Sequence, residues 1–185
     1  PILSGRDLEK LCQLGDNYPA LEKRAASIED AASLDAALSN STAVINCAGP
    51  FLDTAKALVE AAIRSGIHYL DVSAEQRAVL EVYREYAEAA RESDIVCVPA
   101  AAFYGGLSDL LVTAAAAEWT DVDEIEISTA LDSWCPTKGT RLTGERNAGQ
   151  RNVFTNGSLE LQSDPPPRRI WEFQKPFGNQ PMVEL

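Results

Sequence analysis

The sequence predicts an α/β fold, a parallel sheet covered by helices and followed by the start of a second, mixed domain. Two observations carry this. From the start to about Glu118, short β-type runs alternate with amphipathic helical runs. Beyond Trp119 the pattern turns into short alternating segments separated by Gly and Pro. The first domain is therefore expected over residues 1–120 and the second over 121–185.

Taken in order, Ile2-Leu3-Ser4 reads as a strand ending in Gly5-Arg6-Asp7. Leu8, Leu11, Cys12 and Leu14 then recur at helical spacing, with Gly15 as a stop. Glu22 to Ser27 reads as a strand and Asp30 to Leu38 as a short helix. Ala43 to Ala48 is an apolar run typical of a buried strand. Gly49-Pro50 breaks it before a helix expected from Thr54 to Ser65, which Gly66 stops. His68 to Val72 is the next strand. Ser73 followed by Gln76 matches a capping box, so a long helix is expected from there to Glu92, burying Val79, Val82, Tyr83 and Tyr86. Ile95 to Pro99 closes the series of strands, and Leu107 to Ala117 is a further helix.

In the second part, Val122 to Leu131 alternates as an antiparallel strand does, and is expected in a different sheet from the strands at Ala43, His68 and Ile95. Later segments look short and β-like. Gln162 to Arg169, with Pro165-Pro166-Pro167, is expected to be an exposed turn or linker.

Composition narrows the function classes. With 16 Lys+Arg against 28 Asp+Glu the net charge is -12, which disfavours nucleic acid, because phosphate-backbone binding needs clustered cations. No apolar run approaches the roughly 20 residues of a membrane span. Cys12, Cys47, Cys97 and Cys135 are dispersed and His68 is the only histidine, so no metal site is expected and a reducing cytoplasm fits. A small-molecule partner is expected, and the sequence leaves a homo-oligomer open.

In a doubly wound sheet the ligand lies at the carboxyl ends of the strands, which directs attention to the residues just after each one. Arg6 is the most informative. A guanidinium at the end of the second strand of such a fold can clamp a ribose 2′-phosphate, where an acid would bond the 2′-hydroxyl; the plain alternative is a solvated arginine at a helix start. Asn46-Cys47-Ala48-Gly49-Pro50 places small residues and a chain reversal where backbone must approach a planar ligand, although an ordinary strand-to-helix turn would look the same. The Tyr-x-x-x-Lys pair of short-chain dehydrogenases is absent, and Gly106-Leu107-Ser108-Asp109-Leu110 lacks the second glycine of a hydrolase elbow.

Four blocks together resemble the saccharopine-dehydrogenase-like NADP-binding family: Leu3-Ser4-Gly5-Arg6-Asp7, Val44 to Phe51, His68 to Glu75, and Phe103 to Leu110. The resemblance implies a Rossmann domain that binds NADP through Gly5, Arg6, Ser27, Ala48, Gly49, Pro50 and Ser73. It also implies hydride transfer to or from a small carbonyl, imine or enoyl substrate held by the following domain. A non-catalytic NADP-binding or scaffold protein is the alternative. Tyr69, Asp71, Tyr104, Lys138 and Arg141 are candidate proton donors or substrate anchors, and none is singled out as catalytic. The family opens with a strand and a Gly-rich phosphate loop that would precede Pro1. The chain is therefore expected to be a piece of a longer protein, in which the strand at Ile2 has no neighbour linking it to the strand at Ala43.

Overall fold

The computed structural model describes residues 1–133, 135–162 and 165–183. The chain divides into two compact units, Pro1–Ala102 and Phe103–Leu185.

The first unit holds two parallel sheets. Strand β1 (Ile2–Gly5) pairs with β2 (Glu22–Ala25), with Ile2 opposite Glu22 and Gly5 opposite Ala25. Strands β3 (Ala43–Asn46), β4 (His68–Asp71) and β5 (Cys97–Val98) form the other sheet in that order. Among the described residues no ladder joins β1 to β3. Strand β5 is shorter than the run from Ile95 to Pro99.

Helices connect the strands, and their ends follow local chemistry. Helix α1 (Leu8–Gly15) begins at Asp7, whose carboxylate accepts the amide of Lys10 at 3.1 Å, and it buries Leu11. Helix α2 (Ala31–Leu38) begins at Asp30, which accepts from the amides of Ala32 and Ser33. Helix α3 (Phe51–Ser65) starts three residues earlier than the periodicity suggested. It ends at Gly66, whose φ of 62° is the left-handed conformation that a Cβ makes costly. Helix α4 (Gln76–Glu92) has Glu75 rather than Ser73 at its N-cap, so the capping box does not form. Its apolar stripe is Ala78, Val82 and Ala90. Val79 and Tyr86 are half-buried and Tyr83 is 55% exposed, because Tyr83 directly follows Val82 and so lies about 100° around the helix from the buried row.

The core lies on one face of the β3-β4-β5 sheet. Leu34 and Leu38 of α2, Ala55, Val59, Ala61 and Ala62 of α3, and Val82 of α4 pack with Ile67 and Tyr69. Val44, Tyr69 and Cys97 stand in register across the three strands and point into this cluster. The alternate row, Ile45, Leu70 and Val98, belongs to the opposite face, where Ile45 is 63% exposed.

The second unit departs further from the sequence reading. Helix α5 (Gly106–Ala115) belongs to it, and the boundary between the two compact units falls after Ala102. Helix α5 has no buried residue and exposes Leu107, Leu110 and Leu111, which is why its apolar pattern does not attach it to the first core. Val122 to Leu131 forms no strand. Alternation there has no partner ladder to complete it, and Ile125 and Ile127 stay about half exposed. Helix α6 (Lys138–Asn147), capped by Thr137, occupies a stretch that read as β-like. Two antiparallel hairpins follow. Strands β6 (Arg151–Thr155) and β7 (Ser158–Gln162) turn at Asn156-Gly157, both left-handed as a tight hairpin requires. Strands β8 (Arg168–Glu172) and β9 (Asn179–Val183) form the other, and Arg169 pairs with Glu126. Of the expected linker, Gln162 ends β7 and Arg168 and Arg169 begin β8, because each joins a hairpin ladder; Pro165 to Pro167 are exposed coil, and residues 163 and 164 lie outside the described residues.

Candidate functional site

The carboxyl ends of β3, β4 and β5 are tied into one hydrogen-bonded rim. Asn46 ends β3 and is 2% exposed. Its Oδ1 accepts the amide of Ala48 at 3.0 Å, and its Nδ2 donates to Thr54 Oγ1 at 3.1 Å and to the Tyr69 hydroxyl at 3.4 Å. Thr54 in turn donates to the Ala48 carbonyl at 2.6 Å. The turn after β3 is thus held from both sides of Ala48, while Cys47, Ala48 and Gly49 themselves stay exposed.

Asp71 does the same at the end of β4. One oxygen accepts the amides of Ser73 at 2.9 Å and Ala100 at 2.8 Å, and the other accepts the Tyr69 hydroxyl at 2.8 Å. Its carbonyl takes the Ala101 amide at 2.8 Å, which secures the turn leaving β5. Glu75, 2% exposed, reaches back across the sheet. Its carboxylate accepts the amides of Phe51 at 2.6 Å and Leu52 at 3.3 Å, the first two of α3. Pro50 has no side-chain group to cap that helix, so the cap comes from a residue 24 positions away. These buried acceptors are matched with donors, as burial of polar groups requires.

Burial and the Asp71 charge act on the acids beneath the rim. Desolvation raises the Tyr69 phenol well above its usual value, with Asp71 adding to the effect and the Asn46 hydrogen bond opposing it. Desolvation, with Asp71 again adding, pushes the Cys97 thiol up to about 11. Tyr69 is thereby kept protonated and donates to Asp71.

The carboxyl end of the β1-β2 sheet is more open. Arg6 follows Gly5 and is exposed, and among the described residues its side chain has no hydrogen-bond or ion-pair partner. Arg24, by contrast, is committed to Glu22 and to the carbonyls of Ala37 and Ser39. Ser27 is half-buried in the turn before α2. Its amide donates to Ser33 Oγ at 3.0 Å and its hydroxyl accepts from the Glu29 amide at 3.3 Å.

The residues singled out from the sequence therefore fall into two groups. Gly5, Arg6 and Ser27 sit at the end of the β1-β2 sheet; Ala48, Gly49, Pro50 and Ser73 sit at the end of the β3-β4-β5 sheet. Ser73 is 2% exposed and its hydroxyl accepts the Glu75 amide at 2.9 Å, so its side chain serves the rim and faces away from solvent. Tyr69 and Asp71 are likewise rim members with their polar atoms engaged. Tyr104 is exposed and packs edge-on against Phe103, and Lys138 and Arg141 lie on α6; all three belong to the second unit. The sequence reading did not assign roles to Asn46, Thr54 or Glu75. A polar residue ending an apolar strand run was the available signal for Asn46; Glu75 lies at a strand end within the His68 to Glu75 block, but its partners are distant in the chain.

A parallel α/β unit with structured strand-end turns and a free guanidinium defines a nucleotide-binding class of domain. The family model for the saccharopine dehydrogenase NADP binding domain matches residues 2–98. The chain belongs to that family, and NADP is the cofactor of the domain. A "Saccharopine dehydrogenase-like oxidoreductase" from Bos taurus is 27% identical over 118 residues, which cover 58% of this chain and 28% of the bovine protein. Among solved structures, the apo saccharopine dehydrogenase (L-Glu forming) of Saccharomyces cerevisiae aligns with a TM-score of 0.51 at 20% identity. That alignment covers 62% of this chain and 24% of the yeast enzyme. A triphenylmethane reductase of Citrobacter sp., complexed with NADP(H), aligns with a TM-score of 0.41 at 20% identity over 63% of this chain and 45% of that one. The chain spans about a quarter of the length of the bovine and yeast relatives.

The residues present fit parts of the cofactor. Arg6 offers an uncommitted cation suited to a phosphate monoester, and the exposed Ala48-Gly49 turn offers an uncharged backbone surface that a ring could approach. Each of the N-termini of α1, α2 and α3 already carries a carboxylate, Asp7 on the Lys10 amide, Asp30 on the amides of Ala32 and Ser33 and Glu75 on those of Phe51 and Leu52, which offsets the positive end of each helix. Among the described residues no group of His, Cys, Asp and Glu is placed to hold a metal ion, and no helix is long and apolar enough to cross a membrane.

Proposed function

We propose that this chain is the cofactor-binding portion, with the start of the substrate-binding portion, of an NADP-dependent oxidoreductase acting on a small carbonyl, imine or enoyl compound. The observation that carries the reading is the family match over residues 2–98, which contains both Arg6 and the Asn46–Pro50 turn. The name of the bovine relative supports the oxidoreductase assignment. In this reading Arg6 and Gly5 receive the adenosine 2′-phosphate and ribose, Ser27 borders the adenine side, and Ala48, Gly49 and Pro50 face the nicotinamide. Ser73 contributes through the backbone it holds.

When bound, the reduced cofactor supplies a hydride, and the domain supplies orientation. The rim formed by Asn46, Tyr69, Asp71 and Glu75 keeps the three strand-end turns rigid, so that the ring meets a preformed surface. Tyr69 and Asp71 are spent on that rigidity, because the phenol is buried, held protonated and bonded to the carboxylate. A proton for the substrate is then left to groups outside the rim, with Tyr104 and Lys138 as candidates and Arg141 as a substrate anchor. The four unpaired cysteines support a reducing, cytoplasmic setting.

The second reading, a non-catalytic NADP-binding scaffold, is separated by one experiment. The full-length protein is titrated with NADPH and then screened with aldehydes, ketones, imines and enoyl compounds while the absorbance of the reduced nicotinamide is followed. Binding with substrate-dependent oxidation supports the enzyme; tight binding with no oxidation across the classes supports the scaffold; no binding removes both.

A further inference from the structure

The α3 N-terminus shows how the nicotinamide-facing turn is made. Helices α1 and α2 are capped by the residue at their own N-cap, Asp7 and Asp30. Position 50, the N-cap of α3, is Pro and makes no side-chain cap. The amides of Phe51 and Leu52 are instead taken by Glu75, from the turn that leaves the neighbouring strand. Glu75 is itself fixed, since its amide donates to Ser73 Oγ at 2.9 Å and the Ser73 amide donates to Asp71 at 2.9 Å. Its carboxylate lies 2% exposed beneath a turn whose outer residues, Cys47, Ala48 and Gly49, are exposed and carry no charge.

Two consequences follow from this placement. A cap supplied from below leaves the outer face of the turn free of the Ser or Asp side chain that an N-cap would otherwise put there. A carboxylate already on the first amides of α3 also removes the partial positive charge that lets helix N-termini attract phosphate.

We propose that Glu75 is a positioning and specificity residue: it clamps the Ala48–Phe51 turn from the adjacent strand and fills the α3 N-terminus, so that the turn accepts the nicotinamide ring and refuses a phosphate. This rests on the reading of the turn as the nicotinamide-facing element. Glu75 acts through the turn and takes no part in the chemistry.

The test uses the full-length protein and two probes. NADPH spans the whole site, and 2′,5′-ADP engages only the adenosine phosphate end at Arg6. In Glu75→Ala, NADPH affinity should fall about tenfold or more while 2′,5′-ADP affinity stays within about twofold, since two charge-assisted bonds to the turn are lost and Arg6 is untouched. Glu75→Gln keeps the volume and one amide acceptor, and should show a smaller loss of NADPH affinity with 2′,5′-ADP again unchanged. An unchanged NADPH to 2′,5′-ADP affinity ratio in Glu75→Gln would overturn the proposal, as would a parallel loss of both probes in a folded Glu75→Ala, which marks a merely structural role. If the parent protein bound neither probe, the cofactor-site reading itself would fail, a result distinct from either of these.

Discussion

The hydroxyl of Tyr69 donates to Oδ2 of Asp71 at 2.8 Å, two residues along the same strand and beneath the carboxyl end of the sheet. Side chains two apart on a strand share a face, so both point into the core side, where Tyr69 is completely buried and Asp71 is 1% exposed. The pair joins an apolar cluster to a rim of turns. Removing the hydroxyl leaves a buried carboxylate oxygen short of that donor. Tyr69→Phe should therefore destabilise the first unit by about 1–3 kcal/mol, whereas Tyr83→Phe on the exposed side of α4 should stay within about 0.5 kcal/mol. Urea unfolding followed by circular dichroism compares them, and equal midpoints would contradict the assignment of Tyr69 to the rim.

Alkaline conditions should destabilise the first unit. Cys97 is raised from 9.0 to about 11 and Tyr86 from 10.0 to about 12, chiefly by burial, and Tyr69 is raised for the same reason. An acid whose folded pKa lies above its unfolded value loses its proton first in the unfolded chain. Its contribution is fully present below the unfolded pKa and is lost as pH rises through the folded one. The fall should begin near pH 9 with Cys97 and continue through the tyrosine range to about pH 12. Denaturation midpoints across this window should drop, and Cys97→Ala should flatten the earliest part of the fall. An identical profile for Cys97→Ala would show that the thiol does not contribute.

Cofactor preference should reside in Arg6. In the full-length protein, Arg6→Asp should reverse or abolish the preference for NADP over NAD, because a carboxylate repels the 2′-phosphate and suits a free 2′-hydroxyl. Losing one charge-assisted contact of this kind corresponds to roughly tenfold or more in affinity. Fluorescence titration with both dinucleotides measures the ratio, and a ratio equal to the parent's would remove Arg6 from the site.

The 185-residue chain alone should bind NADPH weakly. The pyrophosphate needs several amide donors, and Asp7 already takes the Lys10 amide in the first turn of α1, Asp30 the Ala32 and Ser33 amides of α2, and Glu75 the Phe51 and Leu52 amides of α3. In the proposed reading Arg6 and the Gly49 turn address the two ends of the cofactor, and its charged centre meets helix starts that already carry carboxylates. Calorimetric titration of this chain should give no micromolar binding; a micromolar or tighter constant would place a phosphate site elsewhere in it.

Much of the first unit was legible from local chemistry. Asp7 and Asp30 announce α1 and α2 because an N-cap acts within three residues, Gly66 ends α3 because a left-handed residue must, and Ala43 to Asn46 reads as a strand from its run of apolar side chains, although Ile45 is 63% exposed and only Asn46 of the strand is buried. Such signals need no distant partner. The family blocks added Arg6 and the Gly49-Pro50 turn, whose places at strand ends follow from the same local reading.

What depended on packing could not be read this way. Val122 to Leu131 alternates as a strand would, but a strand exists only with a neighbour to complete its ladder, and among the described residues none pairs with it. Lys138 to Asn147 is helical although its composition pointed elsewhere, and Tyr83 is exposed although it neighbours the buried stripe. Glu75 is the clearest case. In the sequence it is one acid among many before a helix, and only the parallel pairing of Asn46 with Asp71 brings its carboxylate to the amides of Phe51 and Leu52. The sequence by itself determined the alternation of strands and helices and the small, uncharged residues at their junctions, because those depend on neighbours along the chain. The tertiary structure decided which side chains hold those junctions in place, because a hydrogen bond between two strand ends is defined by the register of the sheet.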